Sequence, residues 1–257
     1  MIALVTAVVS LHMPSLHMPP QALRHAVGAP RMMAQVDEFS LNLEFLQSKN
    51  LMSRIRVDDF TESKDVKNVR VFEGDYQQEI IDEVTAVGTE CIAKKDSFSI
   101  AIPGGSVVTA FAAMDPAALD YSKVHVFLCN EKIPSYPCIA GALDAARKLG
   151  IPTENVHGFG EGSNLTEVAE SYSTLMSEHP AINNTVMSVP SVDMMLLGTG
   201  PDGHVGCLFP ESDEIKDCSK GKVVQVGNDE RADGDFLAVS MDVMCASRVV
   251  LVSAAVR

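Results

Sequence analysis

An aspartate and a histidine that could perform acid–base chemistry stand close together in a glycine-rich stretch. Asp202 and His204 are separated by one residue and lie among the four glycines of residues 198–206. Histidine has an ordinary pKa near neutral, and a neighbouring carboxylate can fix the orientation of its ring. The pair is therefore typical of a general base that activates water, although an ordinary turn with a surface histidine would show the same pattern.

The residues before this pair indicate the element that must position it. An apolar run over residues 192–197 is typical of a strand buried on both faces of a parallel sheet. Glycine permits positive φ and a close approach of the backbone to a ligand, which suits Gly200 and Gly203 to a binding loop. Because ligands of open α/β sheets bind beyond the carboxyl ends of the strands, we expect the pair at that edge.

A second predicted strand, at residues 97–102, leads into a loop that could bind a phosphate. Gly104, Gly105 and Ser106 follow it directly, and a helix is predicted from residue 107. Such a loop turns backbone N–H groups towards an anion, and the helix terminus that follows favours negative charge. The same pattern also occurs in common tight turns.

A third predicted strand, at residues 124–128, delivers Asn130 and Lys132. Lys132 brings a positive charge without the planar fork of an arginine. The three loops follow strands of one predicted sheet, so we expect them to converge on one site.

Strands and helices alternate along the rest of the chain. Helices are predicted at 76–93, 143–149 and 165–178, with Asn164 as N-cap of the last, and strands at 69–72, 222–226, 236–241 and 248–253. This alternation predicts an α/β fold of the Rossmann-like type, with a doubly wound, mostly parallel sheet flanked by helices.

Composition divides the chain into three parts. Residues 1–36 contain no acidic residue and two arginines, whereas the remainder carries 18 basic and 34 acidic residues. The apolar run at 1–13 is shorter than the ~20 residues that span a bilayer, and with the acid-free stretch after it resembles a signal and transit segment. We therefore predict a targeting or disordered extension at 1–36, a helix and linker at 37–66, and the folded domain at 67–257, in a plastid or the cytoplasm.

The composition also argues against several partners. A net charge of −14 disfavours nucleic acid and anionic membranes, and it requires a local cationic pocket for any anionic ligand. The six cysteines contain no Cys-x-x-Cys pair and the seven histidines show no ligand spacing, so we predict free thiols and no metal site. The sequence does not predict an oligomeric state.

Residues 198–204 and 208–210 carry a resemblance to a known family. Their sequences, Gly-Thr-Gly-Pro-Asp-Gly-His and Leu-Phe-Pro, are similar to the signature of the 6-phosphogluconolactonases, within the wider glucosamine-6-phosphate isomerase/6-phosphogluconolactonase superfamily. The resemblance implies that His204 is the general base, that residues 104–106 bind the sugar phosphate, and that no cofactor is needed. The chain departs from the family at Asn130 and Lys132, where relatives carry aspartate and arginine. Relatives also continue past the position of residue 257 with a lysine-containing segment.

Two reactions of the superfamily can be distinguished by their chemistry. Isomerase relatives move a proton between carbons, and they carry carboxylates where this chain has Asn130 and Phe209, which accept no proton. Lactone hydrolysis needs one base and donors for the oxyanion. We therefore expect a hydrolase that converts 6-phospho-D-glucono-1,5-lactone, a phosphorylated sugar lactone, to 6-phosphogluconate in the pentose phosphate pathway.

In this hypothesis His204 is the base, Asp202 orients it and Lys132 stabilises the oxyanion. Substrate-binding residues are predicted from the three loops: Gly104, Gly105, Ser106, Asn130, Gly200 and Gly203. A sugar-phosphate-binding protein without catalytic activity remains the alternative, because the family's arginine is replaced.

Overall fold

The computed structural model describes residues 5–12, 69–73, 76–185, 188–216 and 221–256. The predicted helix and linker at 37–66 lie outside these residues, as does the part of the predicted extension that follows residue 12. Among the helices that are described, none combines the length and the apolar character needed to cross a bilayer.

Twelve strands are described. In chain order they are β1 Val5–His12, β2 Val69–Glu73, β3 Phe98–Ile102, β4 Val124–Leu128, β5 Asn130–Lys132, β6 Val156–His157, β7 Asn183–Asn184, β8 Pro190–Ser191, β9 Met194–Gly198, β10 Val224–Asp229, β11 Gly234–Val239 and β12 Val249–Val256. Seven of them form the central sheet, in the order β2-β1-β12-β9-β3-β4-β6. Its strands β12, β9, β3, β4 and β6 run parallel, which confirms the predicted mostly parallel α/β fold.

The described helices are α1 Tyr76–Lys95, α2 Ser106–Phe111, α3 Pro137–Leu149, α4 Leu165–Glu178, α5 Asp213–Lys216 and α6 Met241–Ala246. The bounds of α4 agree with the prediction, and Asn164 caps it by accepting a hydrogen bond from the N–H of Thr166. By contrast, α3 begins six residues earlier than the predicted start at 143. Its start has a proline, and the buried carboxylate of Glu131 accepts hydrogen bonds from the N–H groups of Cys138 and Ile139.

The N-terminal strand differs from the sequence prediction. Residues 1–36 were predicted to lie outside the fold, but Val5–His12 forms β1, which pairs antiparallel with both β12 and β2. The valines of β1 favour the extended conformation. Every residue of β12 has a pairing partner in β1. A targeting role for the N-terminal residues stays a prediction.

Buried apolar strands form the core of the sheet. Every residue of β3 is buried, and so are the first four residues of β9. Between their amino ends lies the buried carboxylate of Asp193, which accepts hydrogen bonds from the N–H and hydroxyl of Ser99, both at 2.8 Å. The ammonium of Lys95 forms an ion pair with the same oxygen at 2.9 Å. The contacts of Asp193 with Ser99 and Lys95 hold β3 and β9 together at the amino edge of the sheet, opposite the predicted site.

A second sheet extends the carboxyl edge. Strands β10, β11 and β5 form an antiparallel sheet of three strands, in which β5 continues the chain just beyond β4. The hairpin of β10 and β11 therefore lies next to the strand end that carries Asn130 and Lys132.

Candidate active site

The loop after β9 holds Asp202 and His204 in one tight turn. The N–H of Gly200 donates to the carbonyl of His204, and the N–H of Gly203 donates to the carbonyl of Gly200, both at 3.0 Å. Within this turn Nδ1 of His204 lies 2.6 Å from Oδ1 of Asp202. The carboxylate accepts the Nδ1 proton, so the lone pair of His204 lies on Nε2. That tautomer is the one a general base requires.

Gly200 is required for this arrangement. A Cβ at Gly200 would lie 2.2 Å from Cε1 of His204 and 2.7 Å from Oδ1 of Asp202, so a larger residue would push the two side chains apart. Gly203 has φ of +88°, which glycine adopts without strain. Both glycines lie at the predicted site, where they permit the turn that brings Asp202 next to His204.

The pair is partly exposed to solvent. The side chains of His204 and Asp202 are 33% and 35% exposed. Partial burial raises the pKa of Asp202, but the hydrogen bond and the charge of His204 outweigh this effect, and the net shift is downwards. Asp202 therefore stays ionised at neutral pH and stabilises an imidazolium next to it.

Arg231 is a cation of the site that the sequence analysis missed. Its Nη1 lies 3.9 Å from Oδ2 of Asp202, and its guanidinium carbon lies 4.3 Å from the ring centroid of Phe209. The Phe209 ring in turn lies 4.9 Å from the His204 ring. Arg231 belongs to the 3₁₀ turn Glu230–Ala232, and Asp229 anchors its guanidinium at 2.7 Å. The only indication in the sequence was one arginine within the acidic connector at 227–235.

Asn130 connects the strand end of β4 to the loop after β9. It is 5% exposed, and its Nδ2 lies 3.1 Å from Sγ of Cys207 and 3.5 Å from Sγ of Cys138. Among the described residues its Oδ1 has no hydrogen-bond partner. A Cβ at Gly206 would lie 3.8 Å from this oxygen, which shows how closely the two loops approach.

Lys132 lies at the same strand end and forms an ion pair with an acidic residue of a neighbouring loop. Its Nζ lies 3.2 Å from Oδ2 of Asp233, on the loop between β10 and β11, and its side chain is 32% exposed. The described ion pair is thus with Asp233 and not with the carboxylate of Asp202. The role of Lys132 as oxyanion stabiliser stays a prediction.

The predicted phosphate loop approaches the same region. A Cβ at Gly104 would lie 2.9 Å from Sγ of Cys138, and a Cβ at Gly198 would lie 3.3 Å from Cγ2 of Val107. Gly105 has φ of +81° and open space at its Cβ position, and Ser106 is exposed at the start of α2. The loops after β3, β4 and β9 therefore converge, as predicted.

A cavity of about 330 Å³ lies beside this loop, between α2 and α3. Gly104 and Gly105 line it together with Lys148, but His204 and Asp202 do not. Lys148 is paired with Asp144 at 2.8 Å. The cavity therefore adjoins the predicted phosphate loop and not the acid–base pair.

These features define a doubly wound α/β protein with a histidine–aspartate pair at the carboxyl edge of its sheet. A family model described as glucosamine-6-phosphate isomerases/6-phosphogluconolactonase matches residues 73–255. The chain belongs to this family.

Similar proteins have related names. A protein of Oryza sativa subsp. indica, named "Probable 6-phosphogluconolactonase 3, chloroplastic", is 29% identical over 154 residues, which cover 53% of this chain and 46% of the relative. A 6-phosphogluconolactonase of Nostoc sp. is 28% identical over 144 residues, which cover 53% of this chain and 58% of the relative. The chain thus spans about half the length of these curated relatives.

The fold is also similar to that of a solved structure. A crystal structure of 6-phosphogluconolactonase from Thermotoga maritima superposes with a TM-score of 0.56 and 17% identity, covering 68% of this chain and 78% of that chain. At this identity the similarity concerns the fold alone.

Proposed function

We propose that the chain hydrolyses the ester bond of 6-phospho-D-glucono-1,5-lactone, with His204 as the general base. The observation that carries the proposal is the 2.6 Å contact between His204 Nδ1 and Asp202 Oδ1 at the carboxyl edge of the sheet. Relatives named 6-phosphogluconolactonase support the choice of substrate.

The reaction follows from the tautomer of His204. Its Nε2 takes a proton from water as the water oxygen attacks the lactone carbonyl carbon, and the imidazolium that forms is stabilised by Asp202. The tetrahedral oxyanion then collapses, and the bond between the carbonyl carbon and the ring oxygen breaks. The imidazolium returns its proton to the departing ring oxygen, so that the product is an open-chain acid with a free hydroxyl.

Cationic groups are needed for both the phosphate and the oxyanion. With a net charge of −14, the chain must supply them locally. Arg231, 3.9 Å from Asp202, is the cation next to the acid–base pair, and Lys132 is the cation at the neighbouring strand end. We assign Arg231 to the negative charge that develops on the lactone carbonyl oxygen, next to the acid–base pair. The N–H groups of residues 104–106 are assigned to the phosphate, which is the one anionic group of the substrate.

The environment of Asn130 supports its role in binding. A buried amide oxygen without a partner costs free energy of about 1–3 kcal/mol, so a ligand that supplies a donor would be bound favourably there. Asn130 Oδ1 is therefore assigned to a substrate hydroxyl, which would donate the missing hydrogen bond.

The same surroundings disfavour the isomerase reaction. Phe209 is 1% exposed and packs between His204 and Phe236, so the position holds an aromatic ring and no proton acceptor. The buried carboxylate nearby, Glu131, accepts hydrogen bonds from three backbone N–H groups and is committed to the start of α3.

We further propose a plastid location for the protein. The composition of residues 1–36 and the chloroplastic names of several relatives support it. Transport of a fluorescent fusion of the full chain into isolated chloroplasts tests this location, and retention outside the organelle would contradict it.

The enzymatic proposal is tested with freshly prepared 6-phospho-D-glucono-1,5-lactone, by following acid release, with glucosamine 6-phosphate turnover measured in parallel. We expect hydrolysis above the spontaneous rate and no turnover of the amino sugar. Binding of 6-phosphogluconate without faster hydrolysis would replace the proposal by a non-catalytic sugar-phosphate-binding protein. Turnover of glucosamine 6-phosphate would replace it by the isomerase.

A further inference from the structure

Three histidines far apart in the sequence come together on one face of the sheet. His125 lies on β4, His157 lies on the adjacent strand β6, and His179 is the C-cap residue of α4. One nitrogen of each ring lies within 4.8 Å of a nitrogen of the other two. This histidine cluster is distinct from the candidate active site, because His125 precedes Asn130 by five residues, roughly 16 Å of extended chain.

We propose that the histidine cluster binds a divalent metal ion of the zinc type, with the three imidazoles as ligands and water in the fourth position. Imidazole nitrogen is a preferred ligand of zinc, whereas magnesium and calcium take oxygen ligands. The set of three neutral nitrogen donors therefore selects the zinc class.

The distance between the first two rings agrees with a tetrahedral site. Nitrogen ligands at about 2.05 Å from a tetrahedral zinc are separated from each other by about 3.3 Å. Nδ1 of His125 and Nε2 of His157 are already 3.4 Å apart. His179 must approach by at most about 1.5 Å, since its nitrogen lies within 4.8 Å of the other two.

The rings are held in place without a metal. Phe127, which shares its face of β4 with His125, lies 4.6 Å from the His157 ring and 5.1 Å from the His179 ring. The hydroxyl of Tyr172 on α4 accepts a hydrogen bond from the N–H of Leu128 at 2.8 Å and shares its proton between the carbonyls of Leu128 and His157, at 3.0 and 3.3 Å, which fixes the helix against both strands. A preorganised first shell of this kind lowers the entropic cost of binding.

The environment keeps the imidazoles neutral. Burial, followed by the charges of neighbouring groups, lowers the pKa of His157 to about 4, and burial likewise lowers the pKa of His125 and His179. The charge of Lys95, which is ion-paired with Asp193 at 2.9 Å, also lowers the pKa of His125.

Two hydrogen bonds must be released for binding, and the first of them joins Nδ1 of His125 to Nε2 of His157 at 3.4 Å. The N–H of Ala181 donates to Nδ1 of His179 at 3.1 Å. If Nδ1 binds the metal its lone pair is used, and if Nε2 binds the metal Nδ1 carries the proton, so either mode breaks this bond. Leaving this N–H unpaired disfavours binding, and coordination by three nitrogen ligands offsets that loss.

The test uses the full chain after removal of metals with a chelator, titrated with cobalt(II) as a spectroscopic substitute for zinc. We expect the visible d–d bands of tetrahedral cobalt, saturation at one equivalent, displacement by zinc, and a higher melting temperature with zinc. Replacing a ligand is expected to weaken cobalt binding at least about 100-fold in each of two variants, His125→Asn and His157→Phe. The phenylalanine preserves the stacking on Phe127, and circular dichroism shows whether each variant is folded.

The matched control is His204→Ala, which removes the histidine of the candidate active site and should retain the cobalt bands. Three results would overturn the proposal. They are the absence of tetrahedral bands in the unaltered chain, their persistence in a folded cluster variant, and their loss in His204→Ala, which would place the ion at the acid–base pair.

Discussion

Replacing Asp202 with asparagine tests how much the carboxylate contributes to the proposed base. The substitution keeps the size of the side chain but removes the charge that stabilises the His204 imidazolium. A hydrogen bond to a charged group contributes about 1.5–3 kcal/mol, and this pair is 33% and 35% exposed, which reduces the expected contribution to about 1–2 kcal/mol. That range corresponds to a fall in kcat/KM of about 5- to 30-fold.

The fall should appear in kcat, because the imidazolium forms in the transition state and not in the bound substrate. Initial rates of lactone hydrolysis over a range of substrate concentrations separate kcat from KM. The matched control is Asp213→Asn on α5, where the side chain is 94% exposed and its ion pair with Lys216 is 3.6 Å long. If Asp202→Asn reduces kcat no more than this control does, the charge of Asp202 does not stabilise the His204 imidazolium in the transition state.

Three other changes test separate parts of the structure. Asp193→Ala leaves Ser99 and Lys95 without their buried partner. Because Lys95 is 28% exposed and can be hydrated, we expect the free energy of unfolding to fall by about 2–4 kcal/mol. A fall below about 1 kcal/mol in urea titrations would contradict this expectation. The pKa of His157 in the folded chain is about 4, which is below its ordinary value of about 6.5. Between these two pH values the unfolded chain binds a proton at His157 and the folded chain does not, so the free energy of unfolding falls as the pH drops from about 6.5 to about 4. In His157→Phe the fall in the free energy of unfolding over this pH range should be smaller by about 1–3 kcal/mol. An unchanged pH dependence of urea unfolding would show that the folded chain does not keep the His157 ring neutral. Asn130→Leu should change the melting temperature little, because Oδ1 has no partner among the described residues and Nδ2 donates only to the sulfurs of Cys138 and Cys207, which are weak acceptors. The same variant should raise KM for the lactone, and an unchanged KM would remove Asn130 from the substrate site.

Local patterns of the sequence predicted most of the parallel sheet. The strand at 124–128 and the helix at 165–178 have the predicted bounds, since a continuous apolar run and a capped apolar face are local properties of those residues. The convergence of the three loops also followed from the sequence, because parallel strands deliver their carboxyl ends to one edge. Tyr172 lies on the buried face of this helix and is 1% exposed.

Features that depend on pairing between distant segments could not be predicted in this way. Arg231 reaches Asp202 because the β10–β11 hairpin pairs with β5, and no local pattern specifies that pairing. The same holds for β1, whose apolar character fits a signal segment as well as a strand. His125 and His157 are 32 residues apart, so the predicted absence of metal-ligand spacing did not foresee their contact.

The central claim is that His204 activates water for lactone hydrolysis. The most direct measurement compares acid release from fresh 6-phospho-D-glucono-1,5-lactone by the unaltered chain, by His204→Ala and by the matched control His125→Ala, each shown to be folded by thermal unfolding. We expect the unaltered chain and His125→Ala to exceed the spontaneous rate, and His204→Ala to lose at least about 100-fold in kcat. A folded His204→Ala variant that retains the full rate would contradict the account.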